Sequence, residues 1–195
     1  MNNTITVSGS IFGNPEFSHE VYGKKFYDLY INTERKSGTI DTLKCLIPEM
    51  FIKDLNIGGK NKFIGEIRTR NEWIEDKSHL HIFVFVKEIA EYDGEDVDIV
   101  ELNGFIGKKP ICRKTPFGRV IADLILASNT RYGKSNYIPT IVWGRNASKV
   151  AEMEVGTQLN IKGRLQSRDY IKFADGEYVD KVAYELSVAS MEEVE

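Results

Sequence analysis

The sequence predicts an all-β chain with minor helix, built as two tandem five-stranded Greek-key barrels, and three observations carry that expectation. Shifted against itself by 95 positions, the chain places Gly9, Pro15, Gly23 and the pair Asp28-Leu29 on Gly104, Pro110, Gly118 and Asp123-Leu124, which marks an internal duplication. Further on the shift becomes 98, with Gly58, Gly65 and Arg70 falling on Gly156, Gly163 and Arg168. Three extra residues therefore lie in the second copy, and the stretch Tyr132-Gly133-Lys134-Ser135 is the expected place for them. Third, each copy holds five short runs rich in β-branched and aromatic residues, separated by turn formers.

Taken in order, the first copy should place strands over roughly 4–9, 26–33, 42–47, 62–69 and 82–88. The second repeats them over roughly 99–107, 120–128, 138–143, 158–166 and 182–189. Between third and fourth strands each copy shows one helical pattern, carried by Phe51, Ile52 and Leu55 in the first and by Val150 and Met153 in the second. Asn146 is placed to cap the second helix and Gly156 to end it. Three strands, a helix and two strands is the order of the OB-fold, with a β-sandwich as the competing arrangement. The acidic run Glu91-Tyr92-Asp93-Gly94-Glu95-Asp96 has no hydrophobic period and reads as a linker. The expected division is a first OB-type domain over 1–90, a linker over 91–97 and a second domain over 98–191.

Composition narrows the function. A net charge of -3 is too acidic for a protein that coats duplex DNA by charge alone, so any nucleic-acid site has to be local. Residues 1–96 carry net -4 and residues 97–195 net +1, which favours the second copy for that site, with Arg68, Arg70 and Trp73 offering a secondary one in the first. Ile82-Phe83-Val84-Phe85-Val86, the longest strongly apolar run, is far short of the ~20 residues that span a bilayer, and the N-terminus lacks a signal pattern; a cytoplasmic protein is expected. Cys45 and Cys112 have no Cys-x-x-Cys spacing and fit buried, reduced thiols.

Single strands are held by aromatic rings that stack on bases and by cations that follow the backbone. In the third strand of the second copy Tyr137, Ile141 and Trp143 share one side, opposite Ile138, Thr140 and Val142. In the fourth strand Lys162, Arg164, Gln166, Arg168 and Tyr170 alternate with Ile161, Gly163 and Leu165, giving a basic face that ends in a ring. A half-buried strand has a polar outer face in any protein; two strands offering rings and cations together are more telling. Arg131, Tyr132 and Lys134 form a basic, aromatic hairpin tip between second and third strands. Gly133-Lys134-Ser135 is not a phosphate loop, since Ser128 stands where a glycine is needed and a strand follows. His79 and His81 have no third ligand near them in sequence, so no metal and no cofactor is expected. No nucleophile-base set is visible, so catalysis is not expected.

Two motifs carry a resemblance: Tyr137-Ile138-Pro139-Thr140-Ile141-Val142-Trp143-Gly144 and Gly163-Arg164-Leu165-Gln166-Ser167-Arg168-Asp169-Tyr170. Over about residues 98–191 the second copy resembles the bacterial single-stranded DNA-binding protein family. The resemblance implies that Tyr137, Trp143 and Tyr170 take base-stacking positions, that Arg164 and Arg168 sit in a basic strand and that Tyr132 lies on a DNA-wrapping hairpin. It also implies assembly of four OB domains, which a two-domain chain reaches as a homodimer. The chain departs from the family pattern at its end, Met191-Glu192-Glu193-Val194-Glu195, which lacks a hydrophobic tip for recruiting replication or repair proteins. In the first copy Thr42, Pro48, Glu66 and Glu72 fall opposite Tyr137, Trp143, Arg164 and Tyr170, so its stacking rings and a cation are replaced.

The expected function is sequence-tolerant binding and protection of single-stranded DNA in replication, recombination or repair, without cofactor or catalysis. The alternative is a replication-restart or mobile-element accessory protein whose main ligand is another protein. RNA is a third candidate ligand, because stacking does not read the sugar.

Overall fold

A computed structural model describes residues 2–74, 76–130, 133–174 and 176–194. The first half forms β1 (Asn3–Val21), β2 (Lys24–Glu34), β3 (Ile40–Pro48), a 3-10 helix (Glu49–Asp54), β4 (Lys60–Ile74) and β5 (Lys77–Ala90). The second forms β6 (Asp98–Ile106), β7 (Ile111–Lys114), β8 (Val120–Asn129), β9 (Ser135–Trp143), α1 (Gly144–Ala151), β10 (Gln158–Ala174) and β11 (Glu177–Glu193). Hydrogen bonds join the strands in the order β2-β3-β5-β4-β1-β6-β10-β11-β9-β8-β7. β1 also pairs with β2, so β1 to β5 close into a five-stranded barrel whose one parallel pair is β3–β5. In the second half β6 also pairs with β8, closing β6, β10, β11, β9 and β8 into the same cycle, with β9–β11 as its parallel pair. The mostly-β fold with OB-type strand order agrees with the expectation.

Alternation along the strands explains the core. Ile5 and Val7 in β1, Leu43 and Cys45 in β3, Phe63 and Ile67 in β4 and Val84 and Val86 in β5 all point inward and are fully enclosed. Leu126, Ile138, Val142, Leu159 and Leu186 do the same in the second half. Each such side chain contributes about 1.5–3 kcal/mol of burial. Burial raises the Cys45 thiol far above its ordinary range, as expected of an inert core cysteine, whereas Cys112 is exposed rather than buried.

Three features differ from the sequence expectation. The strands run on past the barrels, β1 to Val21 and β10 to Ala174, as two-stranded arms largely exposed on both faces, which leaves no alternation to read. The extra residues lie elsewhere than in 132–135: the β2–β3 and β8–β9 connections both span five positions, 35–39 and 130–134. The lengthening falls between β9 and β10, at 144–157 against 49–59 in the first half. That extra chain is why the second half has room for a true α-helix where the first has only a 3-10 helix. Asn146 does not cap it, because the helix begins straight off the strand at Gly144 with Trp143 in the N-cap position and no capping side chain. Gly156 lies beyond the helix, which ends at Ala151.

The two halves meet strand to strand. β1 and β6 pair antiparallel with Ile5 opposite Val100, its own equivalent at the 95-residue shift, so a local two-fold axis passes through that pair. Contacts on either side obey the same axis. Asn136 Oδ1 accepts from the Thr69 amide at 2.9 Å, and the equivalent Asp41 Oδ1 accepts from the Ser167 amide and hydroxyl at 2.7 and 2.8 Å. Asp41 is fully buried; burial would raise its pKa, but the hydrogen bonds from Arg35 and Ser167 outweigh this and hold it below the ordinary carboxylate range. The acidic segment between the halves is pinned, with Lys60 Nζ 2.6 Å from Asp96 and Lys62 Nζ 2.8 Å from Asp93. No helix among the described residues is long and apolar enough to cross a membrane.

Candidate nucleic-acid interface

β9 presents Tyr137, Pro139 and Trp143 outward and keeps Ile138, Thr140 and Val142 inside, while Ile141, expected on the outer face, is covered. Trp143 is 37% exposed, and its indole Nε1 donates to Ser187 Oγ at 3.2 Å, which fixes the ring's edge and leaves part of its surface open. It lines a groove of about 840 Å³ together with Lys162, Arg164 and Arg168 from β10. Arg164 is folded over Gln166, its Nε 3.2 Å from Oε1, and Lys162 lies 3.1 Å from Glu101. Gln166, expected among the outward residues, is buried, donating to Glu185 at 3.0 Å. These contacts are soft: a phosphate arriving at Arg164 or Lys162 competes with a neutral amide or an exposed carboxylate.

The other candidates are spread out. Arg168 stands 3.5 Å from Glu185, and its guanidinium lies 5.8 Å from the Tyr170 ring. Tyr170 faces a second groove, which Arg168 also lines. Tyr137 is 52% exposed but lines neither groove; its amide donates to Thr69 of the first half. Lys134 is exposed at the β8–β9 turn. Arg131 and Tyr132 lie outside the described residues. Three cations of the Trp143 groove were missed by sequence reasoning: Arg113 and Arg119 flanking the β7 turn, and Arg35, which reaches across from the first half and donates to the Ser167 carbonyl at 2.9 Å. The turn formers Pro116-Phe117-Gly118 after Ile111-Cys112-Arg113-Lys114 were a readable hairpin signal; nothing local announced Arg35.

The first half is not bare of rings where the aligned positions lack them. Phe26 pairs with Pro48 as Ile121 pairs with Trp143, and Phe85 faces Glu66 as Ser187 faces Arg164. Phe26 and Phe85 lie 6.0 Å apart, His19 stacks on Phe26 at 5.1 Å, and Arg68 lies 3.5 Å over Phe85. The aromatic character has moved to neighbouring strands, which a position-by-position comparison cannot see. His79 and His81 share one side of β5, His81 Nε2 being 2.8 Å from Glu72 Oε2, and no cluster of three metal-ligating side chains occurs among the described residues.

Asp98 stands at the floor of the Trp143 groove and is the equivalent of Asn3. Asn3 bonds both the amide and the carbonyl of Ile67, at 3.0 and 2.8 Å. Asp98 accepts from the equivalent Leu165 amide at 3.2 Å, but its Oδ2 is enclosed with no partner. Desolvation, aided by Asp41 and only partly offset by Leu165, Arg164 and Arg35, pushes its pKa up to about 7. A carboxyl whose folded pKa is raised destabilises the fold progressively as pH rises from its ordinary value near 4 to about 7, and by a constant amount above. Asp98→Asn supplies the amide that Asn3 has. It should leave stability unchanged near pH 4 and raise it by about 4 kcal/mol above pH 7 in denaturant titrations; a gain independent of pH would refute the assignment.

The single-strand binding protein family, as a sequence profile, matches residues 97–194. A single-stranded DNA-binding protein of Clostridium tetani is 35% identical over 36% of this chain and 54% of its own length. Single-stranded DNA-binding protein 3 of Clostridium acetobutylicum is 33% identical over 44% of this chain and 65% of its own. The chain thus spans between half and two thirds of these relatives. The crystal structure of the wild-type single-stranded DNA binding protein from Thermus aquaticus superposes with a TM-score of 0.79 at 19% identity, covering 100% of this chain and 93% of that one, a likeness of fold.

Proposed function

The chain belongs to the single-strand binding protein family, and from that premise we propose that it binds single-stranded DNA without sequence preference and protects it. The observation that supports this most directly is the Trp143 groove, where one half-open indole is surrounded by arginines from β7, β10 and the first half. A ring offers every base a face to stack on, and guanidinium groups follow the phosphates, so affinity does not depend on sequence. Neither interaction needs a cofactor or breaks a bond.

In this reading residues 1–90 and 98–191 are tandem OB units joined by 91–97, the second carrying the main site through Trp143, Arg164, Arg168 and Lys162, with Tyr137, Tyr170, Lys134, Arg131 and Tyr132 extending it. Exposed strands in replication, recombination or repair are the substrate, which places the protein in the cytoplasm on the nucleoid. Two chains together would present four OB units, and replication or repair proteins are the expected partners. Acting mainly as a protein-interaction module is the second reading, favoured by the exposed Phe12, Phe17 and Tyr22 on the β1–β2 arm.

Titration of labelled oligo-dT and of duplex of equal length tests the proposal. Single strands should bind far more tightly than duplex, and the affinity should fall with salt by about 0.7 logarithmic units per tenfold salt for each phosphate contacted. Absence of single-strand binding would hand the case to the interaction module.

A further inference from the structure

The second groove lies between the halves and is the larger of the two, about 1130 Å³. Its walls come from the β4–β5 arm with Tyr30 and Lys44 on one side, and from the β10–β11 arm with the 108–111 segment on the other. From the rest of the molecule, where acidic side chains outnumber basic ones, this groove departs sharply. Lys77, Lys108, Lys109 and Lys181 line it, all exposed and with no ion pair to another described residue. Its two carboxylates are engaged: Asp123 with Arg113, and Glu185 with Gln166 and Arg168. Lys44 is held 2.7 Å from Asp28. Four ammonium groups without counter-charges in one cleft of a chain of net charge -3 concentrate positive potential there.

Rings stand on both walls, Tyr30 at 39% and Tyr170 at 38% exposed. Arg168 and Glu185 line this groove and the Trp143 groove alike, so the two are contiguous. We infer that the cleft between the halves carries the same single strand onward from Trp143, with Lys77, Lys108, Lys109 and Lys181 on its phosphates and Tyr170 and Tyr30 beneath its bases. The inference rests on the single-strand reading above and adds a path to it: the first half takes part in binding through the wall it lends to the cleft, although its own aligned stacking positions are Thr42 and Pro48. An acidic protein segment would fit the charge but would not use the two rings.

The test uses the intact chain and two lengths of oligo-dT, about 10 nucleotides to occupy the Trp143 groove alone and about 30 to run through both. The wild type should bind the longer strand at least tenfold more tightly. In the double variant Lys109→Glu/Lys181→Glu, at two exposed positions, that advantage should disappear while affinity for the short strand stays within about twofold. Loss of two phosphate contacts should also reduce the salt dependence of long-strand binding by about 1.4. Lys109→Gln/Lys181→Gln should give the same length-selective loss to a smaller degree. Equal loss for both lengths, or none for either, would overturn the cleft assignment. If the short strand binds and only length and charge reversal prove irrelevant, the cleft assignment alone falls; if neither strand binds the wild type, the single-strand reading falls with it.

Discussion

Replacing Trp143 with alanine should weaken oligo-dT binding by about 5- to 150-fold, the equivalent of the roughly 1–3 kcal/mol that one base-aromatic stack contributes. Trp143 is singled out by its setting as well as its ring. It is half-open, oriented by the 3.2 Å bond to Ser187, and bordered by Arg113, Arg119 and Arg164. A free indole loses much of its freedom on stacking; this one has already lost it, so little ordering entropy opposes the contact. Trp143→Phe should keep most of the affinity. The chain has one other tryptophan, Trp73, 73% exposed on the β4–β5 arm, so in a Trp73→Phe background the fluorescence reports on position 143 alone and should be quenched as oligo-dT is added. Wild-type affinity in Trp143→Ala, with the fold intact by circular dichroism, would remove the indole from the site.

Gly163→Ala should destabilise the protein by about 3 kcal/mol or more, lowering the Tm by about 6–12 °C. β10 shifts register against β11 between Lys162 and Gly163, and the backbone of β11 closes on the glycine: a Cβ there would stand 2.2 Å from the Ser187 carbonyl oxygen. Backbone rather than a flexible side chain is in the way, so relief requires moving a paired strand out of the barrel wall. The equivalent Gly65 has the same shift in β4 and the same 2.2 Å approach, to the Phe85 carbonyl, and Gly65→Ala should behave alike. Gly107, whose added Cβ would be no closer than 3.4 Å to any neighbour, is the control; Gly107→Ala should change stability little. A tolerated alanine at 163 would mean that the register shift is not fixed by the glycine. Because Gly163 lies between Lys162 and Arg164 in the Trp143 groove, the same substitution should also misplace both cations.

The barrel strands were legible because each alternates against a dry interior: Phe63, Gly65 and Ile67 inward with Lys62 and Glu66 outward leaves little choice of structure or face. The arms were not legible, since residues such as Asn71, Glu72 and Trp73 are exposed on both faces and no period separates them from loop. The three extra residues were misplaced for a related reason. Turn residues at 132–135 look like an insertion, yet the strand ends on either side keep the 95-residue shift, and only pairing across strands shows that the lengthening lies at α1. In the candidate site, the face shared by Lys162, Arg164 and Arg168 followed from period alone. Arg35, Lys77 and the walls of the cleft between the halves depend on how the copies dock, and long-range docking leaves no trace in local pattern.

Pairing β1 with β6 inside one polypeptide has a consequence that two separate, identical subunits could not share. Dilution cannot part the two halves, since the segment at 91–97 keeps each at a high effective concentration for the other. A substitution in one half is also not copied into its mate, so equivalent positions related by the axis are free to diverge. Asn3 and its equivalent Asp98, Pro48 and Trp143, and Glu66 and Arg164 are that freedom in use. One gene with two unlike lobes allows a division of labour that a symmetric pair forbids: each lobe can be altered for its own task while the seam between them is preserved.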